Sequence, residues 1–124
     1  NLFNNKRKQN VMKTITQKYC NMKGWTDSQP YEIVRVVSDK CLEIRPMKAE
    51  KNPDFNPEFV AGGFSAHCTN NHDQKWIITS MPEAGTIRVR KRKTVKNYGE
   101  GIYWHAQARY QLADKPHYFY DYNF

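Results

Sequence analysis

The chain has 124 residues, with 20 Lys and Arg against 12 Asp and Glu and a formal net charge of +8. This length fits one domain and not two, and no apolar run approaches the ~18 residues that a membrane span needs. With 39% hydrophobic and 14% aromatic residues, the composition is polar for a globular protein yet too aromatic for wholesale disorder.

Residues 1–21 read as a basic N-terminal extension carrying Lys6, Arg7, Lys8, Lys13 and Lys18. Val11, Ile15 and Tyr19, with Met12 alongside, recur at i, i+4, i+8, which predicts a helix of two turns. A helix that short needs a surface to dock on. Met12-Lys13-Thr14 resembles a natural start, so residues 1–11 are expected to be upstream or vector-derived sequence.

From residue 22 onward a single β domain is expected. Tyr31–Val37 is rich in branched residues, Ser38-Asp39-Lys40 supplies a turn, and Cys41–Arg45 alternates with Leu42 and Ile44 on one face. This pair is the best hairpin in the chain. Pro46 is expected to end its second strand, because proline cannot donate to a ladder. Residues 46–63, with Pro46, Pro53, Pro57 and Gly62-Gly63, predict a long irregular connection fastened by Phe55, Phe59 and Phe64. Strands are predicted again at Lys75–Thr79 and Thr86–Arg92, with a turn at Pro82–Gly85; Ile102–Tyr110 fits either helix or strand, and the aromatics that lead it favour strand. The aromatic C-terminus, Tyr118–Phe124, is too apolar for a free tail and should return as a closing strand or plug. The sum is a mainly β protein: a small, strongly bent antiparallel sheet or SH3-like barrel with a basic, helical N-terminal extension.

Trp25-Thr-Asp27 before Pro30-Tyr31-Glu-Ile-Val34, then Val37-Ser-Asp-Lys40, Gly62-Gly-Phe-Ser-Ala-His67 and the ending Phe119-Tyr-Asp-Tyr-Asn-Phe124 stand in a characteristic order. Over residues 22–124 this order resembles a family of small uncharacterised proteins of bacteriophages and their bacterial hosts. The resemblance implies a phage-like origin, a compact β fold and an accessory role in the host cytoplasm, and transfers no catalytic residue. Residues 93–112 carry none of its motifs.

The most pointed chemical feature is electrostatic. On the strand Thr86–Arg92, Arg88, Arg90 and Arg92 share one face while Ile87 and Val89 share the other. Alternate residues lie roughly 6.8 Å apart, near the spacing of successive phosphates on a nucleic-acid strand. Lys93, Lys96 and Arg109 extend the stripe, Arg35 and Arg45 flank it, and Tyr98 and Tyr103 are the expected stacking rings, with Trp104 nearby. The competing reading is a solvated sheet face that protects an edge. Trp25, Trp76 and Trp104 read as core or core-edge residues.

His67, Cys68, His72 and Asp73 are close in sequence but lack the second knuckle that zinc requires, and Cys20 and Cys41 are isolated. Three cysteines are too few and odd in number for a disulfide scaffold, and no secretory leader pattern is visible, so a cytoplasmic location is expected. Neither a metal, a cofactor nor a catalytic residue is expected. The expectation is therefore a non-enzymatic binding module whose basic face meets nucleic acid. The alternative is an inhibitor or adaptor acting on an acidic host protein of defence or transcription. An exposed Pro53–Phe64 loop and exposed C-terminal aromatics favour that alternative; their burial favours the basic face.

Overall fold

The computed structural model describes residues 15–62, 65–92 and 101–123. Its strands are β1 (Tyr19–Lys23), β2 (Ser28–Gln29), β3 (Tyr31–Ser38), β4 (Cys41–Lys51), β5 (Phe59–Gly62), β6 (Ser65–Cys68), β7 (Trp76–Ser80), β8 (Ile87–Arg90), β9 (Ile102–His105) and β10 (Ala108–Ala113). One 3-10 turn, Asn71–Asp73, lies between β6 and β7. Six strands close into an antiparallel barrel in the order β1-β3-β4-β8-β9-β10, because β10 pairs back onto β1 from Tyr19↔Ala113 to Lys23↔Arg109. Closure leaves the ring without an open edge.

Period-two alternation fills the barrel. Cys20, Leu42, Ile44, Val89 and Tyr103 are fully buried, Tyr110 nearly so, and Ile15, Met22, Tyr31, Ile33, Val36, Ile87, Ala108 and Leu112 pack around them. Tyr31 meets Tyr110 edge-on at 5.2 Å, and the Tyr103 hydroxyl donates to the Asp39 carbonyl at 2.7 Å. Burial pushes the Cys20 thiol and the Tyr103 phenol each up to about 12, so both stay neutral inside. Register shifts between Ile33 and Arg35 and between Val36 and Ser38 bend β3, as a tight barrel requires.

Three expectations are corrected here. The N-terminal segment is not helical where it is described: Ile15–Gln17 are irregular, Tyr19 opens β1, and Cys20 and Met22 face inward with a period of two. The sheet thus begins three residues before the expected boundary at residue 22, and residues 1–14 lie outside the described residues. Pro46 does not end β4. It sits where the ladder changes hands: β8 pairs with Cys41–Ile44, β7 with Met47–Lys51, and the proline stands between the two. The connection after Pro46 is also more regular than expected, since β4 runs to Lys51 and β5 pairs with β6 from Phe59↔Cys68 to Gly62↔Ser65. Phe55 is buried in that connection as a fastener, but Phe59 is half-exposed, and Phe64 lies outside the described residues.

The predicted hairpin of Tyr31–Val37 with Cys41–Arg45 holds around these changes. The β3–β4 turn is braced by the Lys40 N–H on Ser38 Oγ at 3.2 Å. The run Ile102–Tyr110 is not one strand but a hairpin of β9 and β10, turning at Ala106 in the left-handed region (φ 52°). The aromatic C-terminus returns to the body as expected. Ser28 and Phe119 exchange both backbone hydrogen bonds, at 3.0 and 2.9 Å. Trp76 packs edge-on to Tyr118 at 4.4 Å, and His72 stacks on Phe119 at 6.0 Å.

Candidate nucleic-acid interface

The alternation of β8 aims Ile87 and Val89 into the barrel and Arg88 and Arg90 out of it. The two arginines are not electrically equal. Arg88 Nε lies 3.6 Å from the Glu43 carboxylate, which also faces Arg35 at 3.6 Å, whereas Arg90 has no ion pair among the described residues. Arg45 is consumed structurally, with Nε 3.0 Å and an Nη 2.6 Å from Glu32 Oε1 and the other Nη 3.1 Å from the Pro82 carbonyl. Arg92 lies just past β8, its guanidinium 4.6 Å from the Trp104 ring centre and hydrogen-bonded to the Ala106 carbonyl. Lys93, Lys96 and Tyr98 lie outside the described residues.

Tyr103 does not provide a stacking face. Its exposure is 0%, because the alternation that exposes Trp104 on β9 turns Tyr103 into the core. The outward ring on this strand is Trp104, half-buried between its ladder neighbours Arg90 on β8 and Arg109 on β10. Arg109 in turn pairs with Lys23 on β1, and Lys23 with Ser28 on β2. The outward row Arg90-Trp104-Arg109-Lys23 therefore runs across the strands, at roughly 4.8 Å per strand, rather than along β8.

Trp25 crowns the turn between β1 and β2, which is closed by the Gly24 N–H on the Asp27 carbonyl at 2.9 Å. It is 98% exposed, against the expectation of a core or core-edge residue. A groove of about 410 Å³ runs beneath it, lined by Lys23, Gly24, Trp25, Trp104, Gln107 and Arg109. At its rim the Lys23 ammonium lies 3.2 Å from Ser28 Oγ and 3.4 Å from His117 Nδ1. Burial first and the Arg109 guanidinium second hold the Lys23 pKa below its ordinary value; burial and then Lys23 do the same to His117. The sequence signal for Trp25 was present in Gly24-Trp25-Thr26-Asp27, a turn composition that carries its aromatic residue outward.

The other cluster behaves differently. Cys68 is buried with Sγ 3.4 Å from Asn70 Oδ1, while His67 and His72 are exposed. Among the described residues no three His, Cys, Asp or Glu side chains converge, and no helix is long and apolar enough to cross a membrane. Comparison of the chain with protein-family models, with curated proteins and with solved structures gives no match.

Proposed function

We propose that this chain, a small barrel of the SH3-like kind, is a non-enzymatic module that binds single-stranded nucleic acid across its outer face from β8 to β1. The observation that carries the reading is Trp25, a large ring left 98% exposed over a groove it shares with Trp104, Arg109 and Lys23. Exposing an indole forfeits its burial, and an indole beside cations is the arrangement that stacks on bases while phosphates are neutralised. Arg90, Arg109 and Lys23 supply the charge. Arg88 contributes less because Glu43 shares it. An accessory role of phage-like origin in the cytoplasm of a bacterial host belongs to the same proposal.

The test is a titration of a short single-stranded oligonucleotide followed by tryptophan fluorescence at several salt concentrations. Three phosphate contacts predict a log–log salt slope of about −2 for a single strand. Trp25→Ala should weaken binding by roughly 1–3 kcal/mol, the usual worth of one base–aromatic stack. Absence of quenching and of binding at low salt would discard the reading.

A second reading is favoured by one observation. Phe59, Val60 and Tyr120 are each about half exposed, at 50%, 51% and 49%, and Tyr122 touches both Phe59 and Tyr120 edge-on. This apolar corner is remote in sequence from the basic row and is the place where a host protein would dock. Val60→Glu, which places a charge in the apolar corner, would break such a complex and leave oligonucleotide binding intact.

A further inference from the structure

The row of cations has an end. Past Lys23 the next strand is β2, where Ser28 is bridged to Phe119. The neighbours of those two residues include Asp27 and Asp121, joined by the Asp121 N–H on Asp27 Oδ1 at 2.8 Å. A polyanion led across from Arg90 therefore finds favourable charge as far as Lys23 and carboxylates beyond it.

At that end Lys23 and His117 stand side by side, and neither forms an ion pair among the described residues. A second hollow of about 420 Å³ opens next to them and shares Lys23 with the Trp25 groove. The facing groups are Asp114 and Lys115 on the segment after β10 and Asn21 on β1. Asn21 is 1% exposed, and its amide is spent on the Lys115 carbonyl at 3.0 Å and the His117 N–H at 3.2 Å. That clamp holds the His117 backbone beside the ammonium. In the free protein the Lys23 ammonium donates to a neutral imidazole; an anion between them accepts from both once the ring is protonated.

We infer that the groove seats the terminal nucleotide of a single strand, with its base against Trp25 and Trp104 and its terminal phosphate between Lys23 and His117. The inference rests on the nucleic-acid reading above and adds the end of the strand to it. A terminal phosphomonoester carries about −1.5 to −2 charges at pH 7, more than the single charge of an internal diester, so an ammonium beside an imidazole that takes up a proton on binding prefers it. The carboxylates beyond β2 oppose a strand that continues.

The experiment compares one thymidylate sequence of about 12 nucleotides in four forms: 5′-phosphorylated, 3′-phosphorylated, hydroxyl at both ends, and covalently circular. Affinities are read by tryptophan quenching. One phosphorylated form should bind about tenfold more tightly than the hydroxyl form, the worth of one or two charge-assisted hydrogen bonds, and its end identifies the polarity. His117→Gln should abolish that preference while leaving the affinity for the hydroxyl form within about twofold. A circular strand bound as tightly as the phosphorylated ones would overturn the end inference and leave the groove reading standing. Failure of all four forms to bind at low salt would remove both.

Discussion

The side-chain amide of Asn123 pairs with both backbone groups of Cys68: Oδ1 accepts from the Cys68 N–H at 2.7 Å, and Nδ2 donates to its carbonyl at 3.0 Å. Gln74 does the same to Tyr120, accepting from its N–H at 3.0 Å and donating to its carbonyl. Asn71 accepts from the Tyr122 N–H at 3.1 Å and donates to Asp121 at 3.0 Å. Amide side chains thus stand in for a neighbouring strand along much of the C-terminal segment. Each satisfies backbone groups that the ring of strands has no room to pair.

Removing these amides should loosen the C-terminus without opening the barrel. Asn123→Ala is expected to cost about 1 kcal/mol, and Asn71→Ala about 2 kcal/mol because Asn71 is buried, its loss strands the Tyr122 N–H, and it takes away one of the donors to the Asp121 carboxylate. Urea denaturation measures both. Hydrogen exchange should rise at Cys68 and Tyr122 and stay slow in β4 and β8.

Two backbone positions predict opposite changes. Ala106 holds a left-handed φ of 52°, so Ala106→Gly should stabilise by up to about 1 kcal/mol. Gly101 has φ +76°, and a Cβ there would meet Leu112 Cβ at 3.4 Å, so Gly101→Ala should destabilise by more than 1 kcal/mol, on the order of the usual strain penalty. Thermal melts of the two variants should move in opposite directions.

The arginines should separate by their partners. Arg90→Ala should weaken oligonucleotide binding and flatten its salt slope by about one phosphate contact, and Arg88→Ala should do so less, because Glu43 already faces Arg88 at 3.6 Å. Arg45→Ala should leave binding alone and lower stability, since it strands the half-buried Glu32. Equal losses of binding at all three positions would show that only the overall charge matters.

His117 gives stability and binding opposite responses to acid. Burial, and then Lys23, keep its folded pKa below 6.5, so the unfolded chain binds more protons at this site. Its contribution to stability is present above pH 6.5 and is lost as pH falls through the folded value. A phosphate seated between Lys23 and His117 favours the charged ring, so affinity for the phosphorylated end should grow over the same interval. Asp114, Lys115 and the Lys23 ammonium also face this hollow, and the difference between the wild type and His117→Gln isolates the imidazole.

The cysteines report on the same surface. Cys20 and Cys68 are buried, and Cys20 is held neutral with its pKa raised to about 12, whereas Cys41 is half-buried on the outer face opposite Arg90. A thiol reagent should label Cys41 first in the native protein and the other two only on unfolding. A bound oligonucleotide that follows the row should slow the labelling of Cys41.

Much of the fold was legible residue by residue. Tyr31–Val37 and Cys41–Arg45 have branched residues, a clean alternation and a Ser-Asp-Lys turn, and they form the hairpin with the most extensive pairing in the barrel. The facing of Ile87, Arg88, Val89 and Arg90 was equally plain, because side-chain direction on a strand is a local property with a period of two. The helical spacing of Ile15 and Tyr19 misled, since two turns of weak periodicity cannot outweigh burial of Cys20 and Met22 against partners far away in sequence. Tyr103 misled for a related reason: in Ile102-Tyr103-Trp104 two adjacent rings must face opposite ways, and only the packed barrel decides which one is inside.

The sequence by itself determined that the chain is mainly β, that its β8 arginines face away from Ile87 and Val89, and that its aromatic C-terminus comes back to the body. Only the tertiary structure decided that β10 closes on β1, that three cations and Trp104 line up across four strands instead of arginines along one, and that Trp25 stands in the open above them. Alternation depends on neighbours two residues apart, whereas strand order, register and the company a turn keeps depend on pairings between segments distant in the chain. Lys23 and Arg109 share a surface through such a pairing, and no local pattern announces it.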